Sequence, residues 1–228
     1  MKILLTRPLK DSLQLIKLVK NMGHDPVICP FFEIKYNQEI DNQYLEGFDG
    51  LIITSKNALT AITDINKNIK LFVVGISAYD LAISLGFNNV VYAGVNVLDL
   101  KQKLENNLGK LLYLSAKDVT DNLDQFKNVT RVVVYEANPI DPISNNFFEF
   151  MNGNDSRACV IFSLRAAKRF LYLINKYNLN YIKCDIIIFV LSEAVANFFK
   201  NTDFNNCYVP FKPELTSLMT LIGEKLND

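Results

Sequence analysis

The chain is built on short apolar runs without alternation, separated by segments of helix length. "KILLT" (2–6), "DPVICP" (25–30), "FDGLIITS" (48–55), "IKLFVVG" (69–75), "NNVVYAG" (88–94), "GKLLYLS" (109–115), "RVVVYEANP" (131–139), "RACVIFS" (157–163), "CDIIIFV" (184–190) and "NNCYVP" (205–210) read as strands. A strand with one wet face alternates apolar and polar residues. These do not, so both of their faces are covered, as in parallel sheets flanked by helices. Residues 10–22 place Leu13, Ile16, Leu18, Val19 and Met22 roughly on one helical face before Gly23 stops the turn, and residues 214–226 read as a last helix. The fold class is α/β. Some ten strands in 228 residues suit two small sheets better than one eight-stranded barrel, which takes about 250 residues.

An internal echo supports two domains. "FDGLIITSKNALTAI", "KLFVVGISAYDLAISLGFNNVVYAG" and the helix "VLDLKQKLENNL" are answered by "SRACVIFSLRAAKRFLYL", "CDIIIFVLSEAVANFFKNTDFNNCYVP" and "ELTSLMTLIGEKL". The first strand-helix-strand belongs to neither unit of the echo. A chain that begins in one domain, builds the other and returns crosses twice, at "PFFEIKY" (30–36) and "RVVVYEANP". The expected division is a discontinuous domain of residues 1–30 and 140–228, a second domain of residues 37–130, and linker strands 31–36 and 131–139 paired antiparallel. In that arrangement Tyr135 stands at a hinge.

Composition narrows the partners. Lys plus Arg and Asp plus Glu are 24 each, so no net field favours nucleic acid or an anionic membrane. "ILLT" is too short for a secretory signal, and no apolar run approaches a membrane span. Cys29, Cys159, Cys184 and Cys207 are widely spaced beside apolar strands, and read as small buried hydrophobes in a reducing compartment, the cytoplasm. The monomer is the expected state, since no repeating apolar surface face stands out.

Ligands of open α/β sheets bind beyond the carboxyl ends of the strands. Those ends read "TRP" (6–8), "TSKNA" (54–58), "GISAY" (75–79), "SAKD" (115–118), "FSLRAA" (162–167) and "LSEA" (191–194). Thr6, Ser55, Ser77, Ser163 and Ser192 can cap the following helices or offer hydroxyls to a ligand. Arg7, Lys56, Lys117 and Arg165 form a group of strand-end cations suited to an anion, or a solvated rim. His24 is a turn residue in "NMGHDP", and no GxGxxG, Walker A or G-x-S-x-G motif is present, so neither a nucleotide cofactor nor a metal is expected. Without an acid/base cluster, any reaction here depends on holding a ligand in shape.

The ordered pieces "ILLTRP", "MGHDPVICP", "FDGLIITSKNAL", "VVGISAYDLAISLGF", "VVVYEANP", "VIFSLRAAKRF", "IIFVLSEAVANFF" and "YVPFKPELTSLMTLI" resemble the uroporphyrinogen-III synthase family over essentially the whole chain. The resemblance implies two flavodoxin-like α/β domains with parallel sheets, joined by a two-stranded antiparallel linker, and no cofactor. It implies cyclisation of hydroxymethylbilane, a linear tetrapyrrole polycarboxylate, with loss of water and inversion of ring D. Tyr135 matches the family's cleft tyrosine. Arg7, Thr54, Ser55, Lys56, Asn57, Gly75, Ser77, Ser115, Lys117, Ser163, Arg165 and Ser192 become the expected substrate contacts. The chain departs from the family pattern at Ser77-Ala78, where a threonine is usual, at Ala116-Lys117 and at Phe162-Ser163. A transient contact with the preceding pathway enzyme would shorten the life of the free bilane. The alternatives are a non-catalytic two-domain protein that binds an anionic small molecule, a glycosyltransferase, and an interaction module using "NNFFEFMNGND" (145–155).

Overall fold

The computed structural model describes residues 1–62, 64–105, 109–119, 121–153 and 155–226. In chain order its elements are β1 (Lys2–Leu5), α1 (Leu9–Asn21), β2 (Asp25–Ile28), β3 (Phe32–Tyr36), β4 (Gly50–Ile53), α2 (Lys56–Thr60), β5 (Lys70–Val74), α3 (Ile76–Ser84), β6 (Val90–Gly94) and α4 (Val97–Leu104). There follow β7 (Leu111–Ala116), β8 (Val129–Pro139), α5 (Asn145–Asn152), β9 (Arg157–Ile161), α6 (Leu164–Lys176), a 3-10 turn at Asn180–Cys184, β10 (Ile187–Val190), α7 (Glu193–Lys200), β11 (Asn206–Tyr208) and α8 (Leu215–Leu226).

The chain divides into two compact units: Met1–Glu33 with Pro139–Asp228, and Ile34–Asn138. The first holds a parallel sheet in the order β11-β10-β9-β1-β2. Numbered within the unit, this is the 2-1-3-4-5 order of a flavodoxin-like sheet. The apolar runs lack alternation because both faces are buried. Leu4, Cys159 and Ile188 join one core, while Ile3, Leu5, Val160 and Phe189 join the other. Each such side chain gains about 1.5–3 kcal/mol from burial.

In α1, Pro8 occupies the N-cap position, Asp11 lies in the first turn and Lys20 in the last, charges that suit the helix dipole. The inward stripe is Ser12, Leu15 and Val19, and Leu13 is left 59% exposed, so the helix is rotated from the face expected for it. In α5 the side chains of Phe147, Phe150 and Met151 are buried in the first core, so these residues pack on the sheet and do not form an interaction patch. Cys29 and Cys159 are buried as expected, but Cys184 is exposed at the end of the 3-10 turn.

The second unit carries the sheet β3-β8-β7-β4-β5-β6. The pairs β8-β7, β7-β4, β4-β5 and β5-β6 are parallel. The chain leaves β4 for β5 and β6 on one side, then returns to build β7 and β8 on the other. Hydrogen bonds from Ile140 N to Phe31 O and from Asn37 N to Val134 O run β3 and β8 in opposite senses. The antiparallel ribbon therefore exists, but it is continuous with this sheet. Residues 129–135 of β8 pair with β7, so Tyr135 is a member of the sheet and not of a free-standing linker. The helix expected after "IITS" is one short turn, α2, because Ile62 leaves it to form a bridge with Ile40.

Two ladders in this sheet slip by one residue, both at carboxyl ends. Val73 pairs with Tyr92 but Val74 with Gly94, and Ser115 pairs with Val133 but Ala116 with Tyr135. Such slips re-aim side chains. Here the second puts two consecutive residues, Val134 and Tyr135, against the same core.

Candidate active site

The strand order of the second unit reverses at β4 and β7. Chains leaving those two strands diverge, and a crevice opens beyond their carboxyl ends. It has a volume of about 580 Å³. Thr54 and Ser55 enter from the end of β4, Val74 from β5, Tyr113 and Ala116 from β7, and Tyr135 from β8. Its remaining walls are residues 95–98 ahead of α4, and Asp118, Val119 and Asp121 beyond β7.

Hydroxyl groups dominate its polar chemistry. Thr54 Oγ1 and Tyr113 Oη lie 3.1 Å apart in a hydrogen bond that either can donate. Burial raises the Tyr113 pKa above that of a free phenol, and the Thr54 hydrogen bond and the nearby Arg131 only partly oppose this. The phenol is therefore a neutral donor and acceptor through the physiological range. Tyr135 is 6% exposed and its ring packs at 6.3 Å from that of Tyr36.

The 95–98 wall is held by its own caps. Asn96 Oδ1 accepts from the N–H groups of Leu98 and Asp99, and Asp99 Oδ2 accepts from those of Val95 and Asn96. This reciprocal box satisfies the first turn of α4 and leaves Val95 and Leu98 exposed beside the crevice, at 74% and 69%. Gly94 makes the turn possible, with φ of +117° and its Cα against Asp99.

Of the two lining carboxylates, Asp121 pairs with Lys101 and accepts from Leu123 N. Both contacts, Lys101 first, hold its pKa below the ordinary carboxylate value. Just outside, Lys117 Nζ meets Glu136 Oε2 at 3.2 Å, and this bond with that from Asn138 lowers the Glu136 pKa.

The crevice thus brings together Thr54, Ser55 and Tyr135 of the expected contacts. Ser55 also caps α2, accepting from Asn57 N at 3.3 Å. Gly75, with φ of +82°, is the N-cap of α3, and Ser77 lies exposed in the first turn of that helix. Lys56 and Asn57 are half-buried on α2, and Lys117 is exposed beyond β7. Ser115 is 1% exposed and its hydroxyl is spent inside the protein, accepting from Arg131 and lying within reach of the Val132 and Ala116 carbonyls. None of these six is among the crevice's lining residues.

The other expected contacts belong to the first unit, at its own order reversal between β1 and β9. Arg7 pairs with Asp11 at 3.5 Å and lies 4.8 Å from the Phe162 ring centre, while Arg165 lies 4.7 Å from that of Phe32. Thr6 donates to Val160 O, tying β1 to β9. Ser163 caps α6 through Ala166 N, whereas Ser192 holds the N-cap position of α7 without a side-chain cap bond.

Sequence reasoning missed Tyr113, Asn96 and Arg131. Tyr113 is hidden as one more large residue in "KLLYLS", although it stands two places before Ser115 and so on the same face of the strand. The pattern Asn96-x-x-Asp99 ahead of an amphipathic run was a readable capping signal.

Among the described residues there is no cluster of three potential metal ligands, and no helix is long and apolar enough to cross a membrane. The family model for uroporphyrinogen-III synthase HemD matches residues 14–220. Uncharacterized protein RP474 of Rickettsia prowazekii is 29% identical over 146 residues, covering 62% of this chain and 52% of that protein. A putative uroporphyrinogen-III synthase of Methanocaldococcus jannaschii is 31% identical over 83 residues, covering 33% of this chain and 34% of that one. The chain therefore spans about half or less of the length of these curated relatives. Crystal structures of uroporphyrinogen-III synthetase from Helicobacter pylori (TM-score 0.66, 18% identity, 98% of each chain) and of a mutant uroporphyrinogen III synthase from Thermus thermophilus (TM-score 0.61, 12% identity, 100% of this chain and 98% of that one) share the fold.

Proposed function

Since the chain belongs to the uroporphyrinogen-III synthase family, we propose that it closes hydroxymethylbilane to uroporphyrinogen III, a lyase step that expels water and inverts ring D. The observation that carries the reading within this molecule is the crevice at the β4/β7 reversal, where the hydroxyl-bearing side chains Thr54, Tyr113 and Tyr135 come together.

The chemistry asks for little more than such groups. The terminal hydroxyl of the bilane leaves with a proton, giving an electrophilic azafulvene. The substituted carbon of ring D attacks it. The spiro intermediate breaks that carbon's older bond to the ring C bridge and so forms a new azafulvene. Closure by the free α-carbon of ring D expels this α-carbon's proton as the azafulvene nitrogen regains one. Tyr135 donates a hydrogen bond to the departing oxygen. That bond stabilises the charge developing on the leaving oxygen. Thr54, fixed by Tyr113, is a second donor. Val95 and Leu98 offer apolar contact to pyrrole faces. Strand-end hydroxyls and cations in each unit, Ser163 and Arg165 in the first and Lys56 in the second, suit acetate and propionate groups.

The enzyme must favour one folded bilane over the conformer that closes spontaneously without inversion, which is selection by shape. The ligand is thus a linear polycarboxylate, and the reading takes a monomer working in the cytoplasm. Its test is the isomer composition of the product. Purified protein given fresh hydroxymethylbilane yields the type III isomer if the proposal holds. A protein that only binds the bilane leaves the type I product of spontaneous closure.

A further inference from the structure

Arg131 stands on β8 in register with Tyr113 of β7, on the crevice side of the sheet. Its guanidinium runs toward the carboxyl end of β7. Nε donates to Ser115 Oγ at 2.8 Å, and Nη1 to Asn122 Oδ1 at 2.8 Å. Nη2 donates to the carbonyls of Ala116 and Lys117, each at 2.8 Å. These partners bracket the wall that carries Asp118, Val119 and Asp121, and they begin at the register slip where Ala116 comes to pair with Tyr135.

A guanidinium has five N–H donors in a rigid plane. Here Nε, Nη1 and both directions of Nη2 are aimed at protein oxygens, so the fork that would grip a substrate carboxylate is already occupied. We propose that Arg131 is a positioning residue for the cyclisation. It fixes the exit of β7, and with it one wall of the crevice and the backbone to which Tyr135 is pinned, and it does not anchor a carboxylate of the substrate. The inference rests on the function proposed above. Ser115 and Lys117 then contribute as the oxygens that Arg131 grips.

The two roles respond differently to Arg131→Lys. Lysine keeps the charge but cannot make the four bonds from one plane. A carboxylate anchor would lose bidentate grip and show the loss in KM, whereas a positioning fork shows it in kcat and in the exchange of the segment it holds. The experiment compares Arg131→Lys, Arg131→Gln and the milder Asn122→Ala with wild type in two readouts. The first is hydrogen–deuterium exchange of the amides of residues 116–119 without substrate, with the Lys117 N–H to Tyr135 O bond as the sensitive reporter. The second is the split of turnover between kcat and KM on hydroxymethylbilane.

The proposal expects faster exchange confined to that segment in both Arg131 variants. It expects kcat lowered about ten- to hundredfold in both, the range that misplaced groups produce, and a smaller change of the same sign for Asn122→Ala. Wild-type kcat in both Arg131 variants, with KM alone raised, would overturn it in favour of an anchor. Unchanged exchange at residues 116–119 would overturn it as well. If either Arg131 variant fails to fold, Asn122→Ala decides the matter by the same criteria. Should the wild-type protein make no type III isomer, the function fails independently, and the exchange measurement still judges the positioning claim.

Discussion

Gly94→Ala is the perturbation whose cost the structure defines most closely. Gly94 has φ of +117°, a region that side-chain-bearing residues avoid, which costs about 1–3 kcal/mol. A Cβ built there overlaps Asp99 Cβ and reaches 2.5 Å from Asp99 Oδ2 and 2.7 Å from Cγ. The aspartate must move, and it is the residue that caps Val95 N and Asn96 N, so roughly another 1 kcal/mol of capping is lost. The sum is about 2–4 kcal/mol, which for a chain of this size lowers Tm by roughly 4–16 °C. Thermal scans by circular dichroism on Gly94→Ala in wild-type and Asp99→Gly backgrounds separate the two parts. Without the Asp99 side chain the overlap disappears, and only the backbone strain of about 1–3 kcal/mol remains. Asp99→Ala is the wrong background, because its Cβ still collides. A Tm within about 2 °C of wild type for Gly94→Ala, roughly the scatter of such scans, or an identical loss in both backgrounds would refute this turn at the crevice wall.

Other outcomes follow from the same geometry. Tyr135→Phe keeps the buried ring and so changes stability by no more than about 1 kcal/mol, while kcat falls roughly 100-fold, read by single-turnover product formation; wild-type turnover would remove the phenol from the chemistry. Tyr113→Phe releases Thr54 from its hydrogen bond and lowers kcat by a smaller factor, with Thr54→Val epistatic to it; additive losses in the double variant would show that the pair does not act as a unit. Burial pushes the Cys29 thiol up to about 11 from 9.0, so the folded state holds a proton that the unfolded chain releases first. Stability is therefore complete below pH 9 and declines toward pH 11, as urea midpoints will show, with a shallower decline in Cys29→Ala; a flat midpoint to pH 11 would contradict the assignment.

The α/β class and the two sheets were legible because burial on both faces leaves runs such as "LIIT" and "VIFS" with no alternation to misread. The first unit's 2-1-3-4-5 order needed its β1 and β2 to rejoin a distant β9, and the orphaned strand-helix-strand at the start of the chain announced that. What the letters did not carry was register. The slip at Ser115/Ala116 depends on which strand lies alongside, so Tyr135 read as a linker residue and emerged as a sheet residue. The same gap hid Arg131, a charge at the head of "RVVVY" that looks solvated until β7 is placed beside it. Ser115 shows the opposite error: a strand-end hydroxyl with the right spacing for a ligand turns out to be consumed by its neighbours. Ser55 and Ser163 illustrate why single positions are ambiguous, since a capping hydroxyl and a ligand-facing hydroxyl stand at the same point of the chain.

The most direct test of the account remains the fate of hydroxymethylbilane. Incubated with purified protein, oxidised and resolved by chromatography, it is expected to appear as the type III isomer at a rate proportional to enzyme. Type I product alone, formed no faster than in buffer, would contradict the claim that this crevice folds a linear tetrapyrrole for inversion.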